Sequence, residues 1–436
     1  MDATPSRSAD APIPLDRAAV EDAHRALRDH LFETPLLPSP SLSRLTDADI
    51  LLKAENIQRG GSFKVRGSVN KIRKLVDEGR ISEVTAASAG NHAQGVAYAA
   101  GLLGIRSTIF MPRDAPVAKK RATQLLGADV RIEGRHYDEA RTACKEYAEA
   151  EGAVFVDGFD DWDVIEGQAT IGVEIAAEVG DRLPDYVLVP AGGGGLLAGI
   201  LFYLREVYGD AVTVLGVQSE RAPAMAQSLE RARAGTGDGG PIEVPGRPTI
   251  ADGIRIGRPG DRPFRVIRRW VDDIVCVGEE SIYEAIIHLY EHSRLVVEGA
   301  GAVGVAALLE RKVVVPEGAR AVIVVSGVNV DAGAMQKIIN SYLFKSGRRV
   351  VFRIKVKDLP GHLARVVSIF ERERLNIAEI EQPPILAKPL SPEYTVFDIC
   401  VETEGKSHIP RIVRALEQEQ EKMRAAGDEP FEILRR

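Results

Sequence analysis

The chain is poor in the features that most quickly place a sequence in a class. It has three cysteines, Cys144, Cys276 and Cys400, far apart in the sequence. No pair has metal-ligand spacing, and an odd count makes a poor disulfide framework. A reducing, cytoplasmic setting fits. There is no basic excess: 56 Lys and Arg stand against 63 Asp and Glu, a formal charge of −7. That balance argues against a nucleic-acid partner. No continuous apolar run is long enough to span a membrane, because glycines break even YVLVPAGGGGLLAGILFYL. The N-terminal MDATPSRSADAPIPLDR lacks the apolar segment of a secretory signal and reads as a frayed arm. What is present is the balance of a folded protein, 45% apolar and 27% charged over 436 residues. That length suits two or three domains.

Periodicity divides the chain. AAVEDAHRALRDHLF reads as an amphipathic helix, TPLLPSPSLSRL as a turn-rich loop and DILLK as a short strand. Residues 62–76, SFKVRGSVNKIRKLV, have helical period, with the basic residues mostly on one side. Strand-like and helix-like segments then alternate from EVTAAS to AVFVDGF, and again from VIEGQATIGVEIAAEV to ARAVIVVSG. Such units predict parallel sheets with right-handed crossovers. Residues 230–261, rich in Gly, Pro and Arg, read as a long surface excursion. From Leu343 the texture changes to β-α-β-β-α-β, a ferredoxin-like plait.

Four stretches carry chemistry. In GGSFKVRG, Lys64 follows a glycine pair, Ser62 and Phe63. Read alone it is one more lysine on a solvated helix. The setting points elsewhere. Gly60 and Gly61 permit a sharp turn and a close ligand approach. Ser62 is placed to cap the helix that Lys64 begins. Phe63 can cover one face of an aromatic ring. A lysine at a helix start in a dry pocket loses its proton more readily, which suits a Schiff base. In SAGNH, residues 88–92, a strand–helix junction with small residues suits an anion, and Asn91 adds an amide donor. In PAGGGGLL, Gly192 to Gly195 form a nest of unhindered N–H groups suited to a phosphate. The glycine spacing matches neither the dinucleotide fingerprint nor the nucleoside-triphosphate loop. In VSGVN, Ser326 tips a buried strand. The four strand tips can line one crevice of one sheet. A cofactor with an aldehyde, a phosphate and an aromatic ring would use all four, and pyridoxal phosphate has those parts.

The motifs KAENIQRGGSFKVRG, AASAGNHAQGVAYAA, VIEGQATIGVEI, VPAGGGGLLAGI, TIADGI and VVSGVNV occur in that order over about residues 17–335. In this the chain resembles the biosynthetic threonine dehydratase (threonine ammonia-lyase) family of fold type II pyridoxal-phosphate enzymes. The resemblance implies an α/β fold with two open parallel-sheet domains, 1–83 with 161–342 and 84–160. It implies that Lys64 bonds to pyridoxal 5′-phosphate and then acts as base at the substrate Cα. Phe63 would line the ring and Asn91 would bond its 3′-oxygen. Gly192, Gly193, Gly194, Gly195 and Leu196 would hold the phosphate, and Ser326 would face the pyridine nitrogen. A neutral hydroxyl there does not demand a protonated ring. Ser88, Ala89, Asn91 and His92 would bind the substrate carboxylate. The implied reaction turns L-threonine into 2-oxobutanoate and ammonia, the first step of isoleucine biosynthesis, and L-serine into pyruvate. A serine or threo-3-hydroxyaspartate dehydratase is the nearest alternative, with cysteine or threonine synthase and a non-enzymatic amino-acid sensor further off.

Three departures from the pattern stand out. The related serine racemase has a second serine where this chain has Ala89, so racemisation should be weak. Divalent-metal members have acidic residues after the glutamate matching Glu220, where this chain has Ala224 and Ala226; this argues against a magnesium site and leaves a monovalent cation near Glu220 as the alternative, and no metal ligand is assigned. Val328 stands where the family often has a small residue, which implies a narrower pocket. Residues 343–436 resemble an ACT-type regulatory domain through DLPGHLARVVSIF and LNIAEIE. Gly361, Asn376 and Ile377 would form its effector site, with isoleucine as inhibitor and valine as opponent. The insertion PPILAKPLSPEY would rim that site or an interface. A homodimer or homotetramer is implied.

Overall fold

A computed structural model of the protein describes residues 12–383 and 392–435. Most of the N-terminal arm and of the PPILAKPLSPEY insertion lies outside them. The chain divides into two compact units, one ending at Asp331 and one starting at Ala332. The division falls before Leu343 because the helix Ala332–Lys345 packs with the strand Arg349–Lys357 of the second unit.

The first unit holds two sheets. The larger runs Leu36–Pro38, Asp49–Ala54, Arg320–Val325, Tyr186–Pro190, Thr213–Ser219, Asp273–Val277. Its first pair is antiparallel and the rest are parallel. Val322 lies opposite Leu51 on one side and Val187 on the other. Five consecutive residues of Arg320–Val325 are buried, as a central parallel strand covered on both faces requires. The smaller sheet, all parallel, runs Asp129–Ile132, Arg106–Met111, Glu83–Ala87, Val154–Phe155. Each sheet has its own apolar core. Three helices, Lys64–Asp77, Trp162–Glu178 and Gly195–Tyr208, pack closely where glycines meet. A Cβ on Gly167 would lie 2.6 Å from the Gly67 Cα, so neither position accepts a side chain. Asp161 starts the middle helix by accepting from the amides of Asp163 and Val164.

Several expectations change. The loop TPLLPSPSLSRL contains the edge strand Leu36–Pro38 and the helix Pro40–Thr46, which starts on a proline. The strand Asp273–Val277 was not foreseen. The excursion over 230–261 returns to the interior: Asp252–Ile254 forms a short helical turn, and Ile254 is buried. Ser62 does not cap the lysine helix. It is extended, at φ −167°, and bridges to Gly327, so its backbone is committed to a sheet-like contact.

The second unit carries the strands Arg349–Lys357, Ile377–Glu381, Tyr394–Glu402 and Glu432–Arg435 in one antiparallel sheet. In spatial order these are the second, third, first and fourth, as in a ferredoxin-like plait. Arg349–Lys357 alternates buried and half-buried residues along its length, so one face meets the helices and the other does not. The helices His362–Arg372 and Ile409–Ala425 close a core around Phe352, Phe370, Ile399 and Leu416.

Candidate active site

The first unit has a cleft of about 580 Å³. Phe63, Lys64, Ser88, Ala89, Asn91, His92, Gly192 to Gly195, Leu196 and Ser326 all line it. They do not come from one sheet. Ser88 to His92 follow a strand of the small sheet, whereas the glycine loop and Ser326 follow strands of the large one. The crevice therefore lies between two sheets, each presenting the carboxyl ends of its parallel strands.

The lysine arrives by a route that backbone geometry dictates. After Asp49–Ala54 come two short helical turns, with Gly60 at φ 70° and Gly61 at φ 74°. Both lie in the left-handed region that favours glycine. Phe63 N donates to Ser326 O at 3.2 Å and Val328 N to Gly61 O at 2.9 Å. The lysine loop and the serine loop are thus joined by backbone bonds. Val328 is not in the cleft lining; its side chain packs over Gly61, where a Cβ would lie 2.9 Å from Val328 Cγ1. It is spent on this contact, and the narrower pocket expected of it is not seen.

Lys64 Nζ donates to Gly158 O at 2.6 Å and lies 5.2 Å from the centre of the Phe63 ring. The side chain is open to the cleft on one side, yet the cleft walls desolvate its ammonium. Burial lowers its pKa to about 8, against the opposing pull of Asp157 and Glu298. Asp157 remains a carboxylate. Burial raises its pKa, but the amides of Asp160 and Phe159 and the Arg141 guanidinium outweigh that and hold it below the usual range.

On the small-sheet side, Gly90 N donates to Ser88 Oγ at 3.1 Å, which shapes the turn into the helix Asn91–Leu102. His92 is buried and its Nε2 lies 2.8 Å from Val156 O. A carbonyl only accepts, so Nε2 carries the proton and Nδ1 is the acceptor of a neutral ring. Burial, then the Lys64 charge, push the His92 pKa down to about 4. Asn91 Nδ2 donates to Glu298 Oε1 at 2.7 Å. Asn91 Oδ1 is buried without a partner among the described residues.

The glycine loop ends the strand Tyr186–Pro190 and opens a long buried helix, with Gly194 at φ 103°. A Cβ on Gly193 would fall 2.3 Å from the Phe159 ring, and one on Gly192 would fall 2.9 Å from Ile254 Cα. Phe159 and Ile254 therefore wall a cradle that only glycines leave open. With the second N–H of Asn91 Nδ2, which the bond to Glu298 leaves over, and the desolvated Lys64, these groups fit pyridoxal phosphate: backbone amides for the phosphate, an amide N–H for the ring oxygen and an amine for the aldehyde carbon.

Phe159, Gly158, Asp157, Ile254 and Glu298 were not singled out from sequence. TIADGI, which holds Ile254, is one of the motifs that carry the resemblance, but nothing in it marks a role for Ile254. Elsewhere, Glu220 lies 3.4 Å from Lys312. Among the described residues no group of three or more His, Cys, Asp or Glu side chains is placed to hold a metal ion. No described helix is long and apolar enough to cross a membrane.

Residues 27–327 match the sequence model of the family described as "Pyridoxal-phosphate dependent enzyme". The chain is 43% identical over 397 residues to the L-threonine ammonia-lyase of Thermotoga maritima, covering 91% of this chain and 96% of that protein. The structure of the processed form of threonine deaminase isoform 2 from Solanum lycopersicum superposes with a TM-score of 0.68 at 31% identity, over 78% of this chain and 98% of that one. Maize serine racemase superposes with a TM-score of 0.68 at 30% identity, over 76% and 98%. The chain belongs to the pyridoxal-phosphate-dependent enzymes.

Proposed function

We propose that the protein converts L-threonine to 2-oxobutanoate and ammonia, and L-serine to pyruvate, as the first step of isoleucine biosynthesis. The observation that carries this reading is Lys64: one desolvated lysine at the meeting point of the two sheets, between the glycine cradle and the Ser88–His92 helix start. The likeness to a threonine ammonia-lyase along 91% of the chain narrows the substrate class. Pyridoxal phosphate, when bound, supplies the electron sink that makes the amino-acid Cα acidic.

The chain's own residues do the rest. The Gly192–Gly195 amides hold the phosphate, and Phe63, Asn91 and Ser326 orient the ring. Amides at the start of the helix Asn91–Leu102 hold the substrate carboxylate. Lys64, poised near neutrality, takes the Cα proton, and its place beside Gly158 keeps the amine on one face of the substrate. Ala89 has no proton to deliver to the other face, so elimination outruns racemisation.

We further infer that the unit from Ala332 is an ACT-type module that binds an amino-acid effector. Its plait topology supports this, as does the turn at Gly361, φ 90°, before the helix His362–Arg372. Asn376 donates to Glu402 at 3.3 Å beside the start of the strand at Ile377. Isoleucine is the expected inhibitor, valine its opponent, and the assembly a homodimer or homotetramer in the cytoplasm. A product assay across threonine, serine and threo-3-hydroxyaspartate tests the activity. Threonine should give 2-oxobutanoate with the highest kcat/KM; a preference for hydroxyaspartate would overturn the assignment. The threonine rate across an isoleucine titration tests the module.

A further inference from the structure

Of the carboxyl groups that line the cleft, Asp114, Asp138, Asp252 and Glu298, only Glu298 is buried. It is 4% exposed and stands just before the helix Gly299–Leu309. Its amide donates to Gly327 O at 3.0 Å and its carbonyl accepts from Gly301 N at 3.0 Å, so its backbone is fixed to the serine loop. The carboxyl reaches across to the small-sheet side, where Oε1 accepts from Asn91 Nδ2 at 2.7 Å. A Cβ on Gly327 would lie 2.5 Å from that oxygen, so a bare backbone there is what lets the carboxyl through.

An amide has two ends. With Nδ2 held by a carboxylate, Asn91 keeps one N–H and its oxygen for other partners. That oxygen is buried and unpartnered among the described residues. We propose that Glu298 is a positioning residue for the cofactor ring: it sets which end of the Asn91 amide meets the ring oxygen, and its protonation reverses that choice. Ionised, Glu298 can only accept, and it pins Nδ2. Protonated, it can donate to Oδ1, which turns the amide and aims both N–H groups at the ring.

Charged groups face Glu298 from every side of the pocket. Asp252 stands on the helical turn Asp252–Ile254, Lys119 on the helix Val117–Leu125, and Lys64 across the cleft with Asp157 behind it. Lys119 and Asp252 lie 3.3 Å apart and partly cancel. Burial, then Asp252, raise the Glu298 pKa to about 7, against Asn91 and the two lysines. The reversal therefore falls near neutral pH.

This inference rests on the assignment of Asn91 to the cofactor ring, and the test separates the two. The full-length holoenzyme and its Glu298→Gln, Glu298→Ala and Asn91→Ala variants are compared. Visible absorption of the bound cofactor is followed from pH 5 to 9, and cofactor affinity is measured by equilibrium dialysis. The wild type should show a spectral titration near neutrality. Glu298→Gln, which keeps the shape and an acceptor, should abolish it while retaining affinity within about threefold. Glu298→Ala should weaken affinity about tenfold, the effect of leaving a buried amide unpaired. An unchanged spectral titration in Glu298→Gln, or unchanged affinity in Glu298→Ala, overturns the proposal. If Asn91→Ala leaves both readouts at wild-type values, the assignment of Asn91 itself is wrong. Borohydride labelling of Lys64 in every variant reports separately whether the lysine assignment stands.

Discussion

Arg66, two residues after the lysine, is 1% exposed and satisfied by side chains alone. Its Nε and Nη2 each donate to Glu55 at 2.8 Å. Nη1 donates to Glu174 at 2.5 Å and to Thr170 at 3.2 Å, and Nη2 also donates to Glu174 at 2.8 Å. Every guanidinium N–H has an acceptor, in the fork geometry that suits two carboxylates. Replacing Arg66 with alanine would leave Glu174 with Lys53, at 2.8 Å, but Glu55, among the described residues, with only the Thr34 hydroxyl. Breaking a buried ion pair from one side costs about 3–5 kcal/mol. That is a large share of the ~5–15 kcal/mol that holds a typical protein together. Arg66→Lys keeps the charge, but one ammonium cannot reach both carboxylates with paired bonds, so a loss smaller than that of Arg66→Ala is expected. The assay is urea unfolding followed by tryptophan fluorescence. The chain has two tryptophans, Trp162 and Trp270, both before Asp331. The signal therefore reports the first unit alone, which avoids mixing two unfolding events. A loss below about 1 kcal/mol for Arg66→Ala would refute the argument, since Glu55 would then have found water or another donor.

Other consequences can be measured independently. Lys64→Ala should lose the borohydride-stable cofactor label and ~100- to 10,000-fold in turnover; a label retained on another lysine would contradict the assignment. Gly193→Ala drives a Cβ into the Phe159 ring and should weaken cofactor binding about tenfold or more by equilibrium dialysis. With L-serine, pyruvate should far exceed D-serine, because Ala89 carries no exchangeable proton; comparable yields would point to another acid. Stability of the cofactor-free protein should be nearly flat between pH 6.5 and 4.5 as far as two groups decide it. Folded His92 resists protonation, with its pKa down at about 4, so its contribution is full above about 6.5 and is lost as the pH falls. Folded Glu298, at about 7, binds its proton early, so stability is gained as the pH falls over much the same window. Each term is worth about 3 kcal/mol. Glu298→Gln should therefore expose the His92 loss as a fall in urea midpoint from pH 6.5 downward; an unchanged profile would refute the pairing.

The parts of the site legible in the sequence were those where local chemistry repeats local structure. Gly192 to Gly195 follow an apolar strand and precede a helix, and both facts show in the sequence itself. Lys64 after a glycine pair and Asn91 after SAG are legible on the same terms. Glu298 was not, because its burial depends on Gly327, and an acidic residue before GAGAVG looks like any helix start. Phe159 and Ile254 were missed because their role is to fill space beside glycines, which only the fold brings near. The placement of all four strand tips on one sheet fails for a related reason. Periodicity shows that a strand is parallel and buried, but not which strand lies beside it. In the C-terminal unit the alternation of Arg349–Lys357 carries the plait plainly, while a strand as short as Leu36–Pro38 leaves no periodic signal.

The contact between Gly61 and Val328 limits how this site can vary. The loops meet through Phe63 N to Ser326 O and Val328 N to Gly61 O, and Val328 occupies the volume a side chain at position 61 would need. The left-handed backbone of Gly61, φ 74°, resists replacement by itself. Trimming Val328 would therefore not free position 61, whereas enlarging Val328 would press on the lysine loop rather than on a ligand. In a substitution library the two positions would act as a single inherited unit. Changes at 328 would alter how far Lys64 stands from Ser326, and with it the size of ring the site can grip.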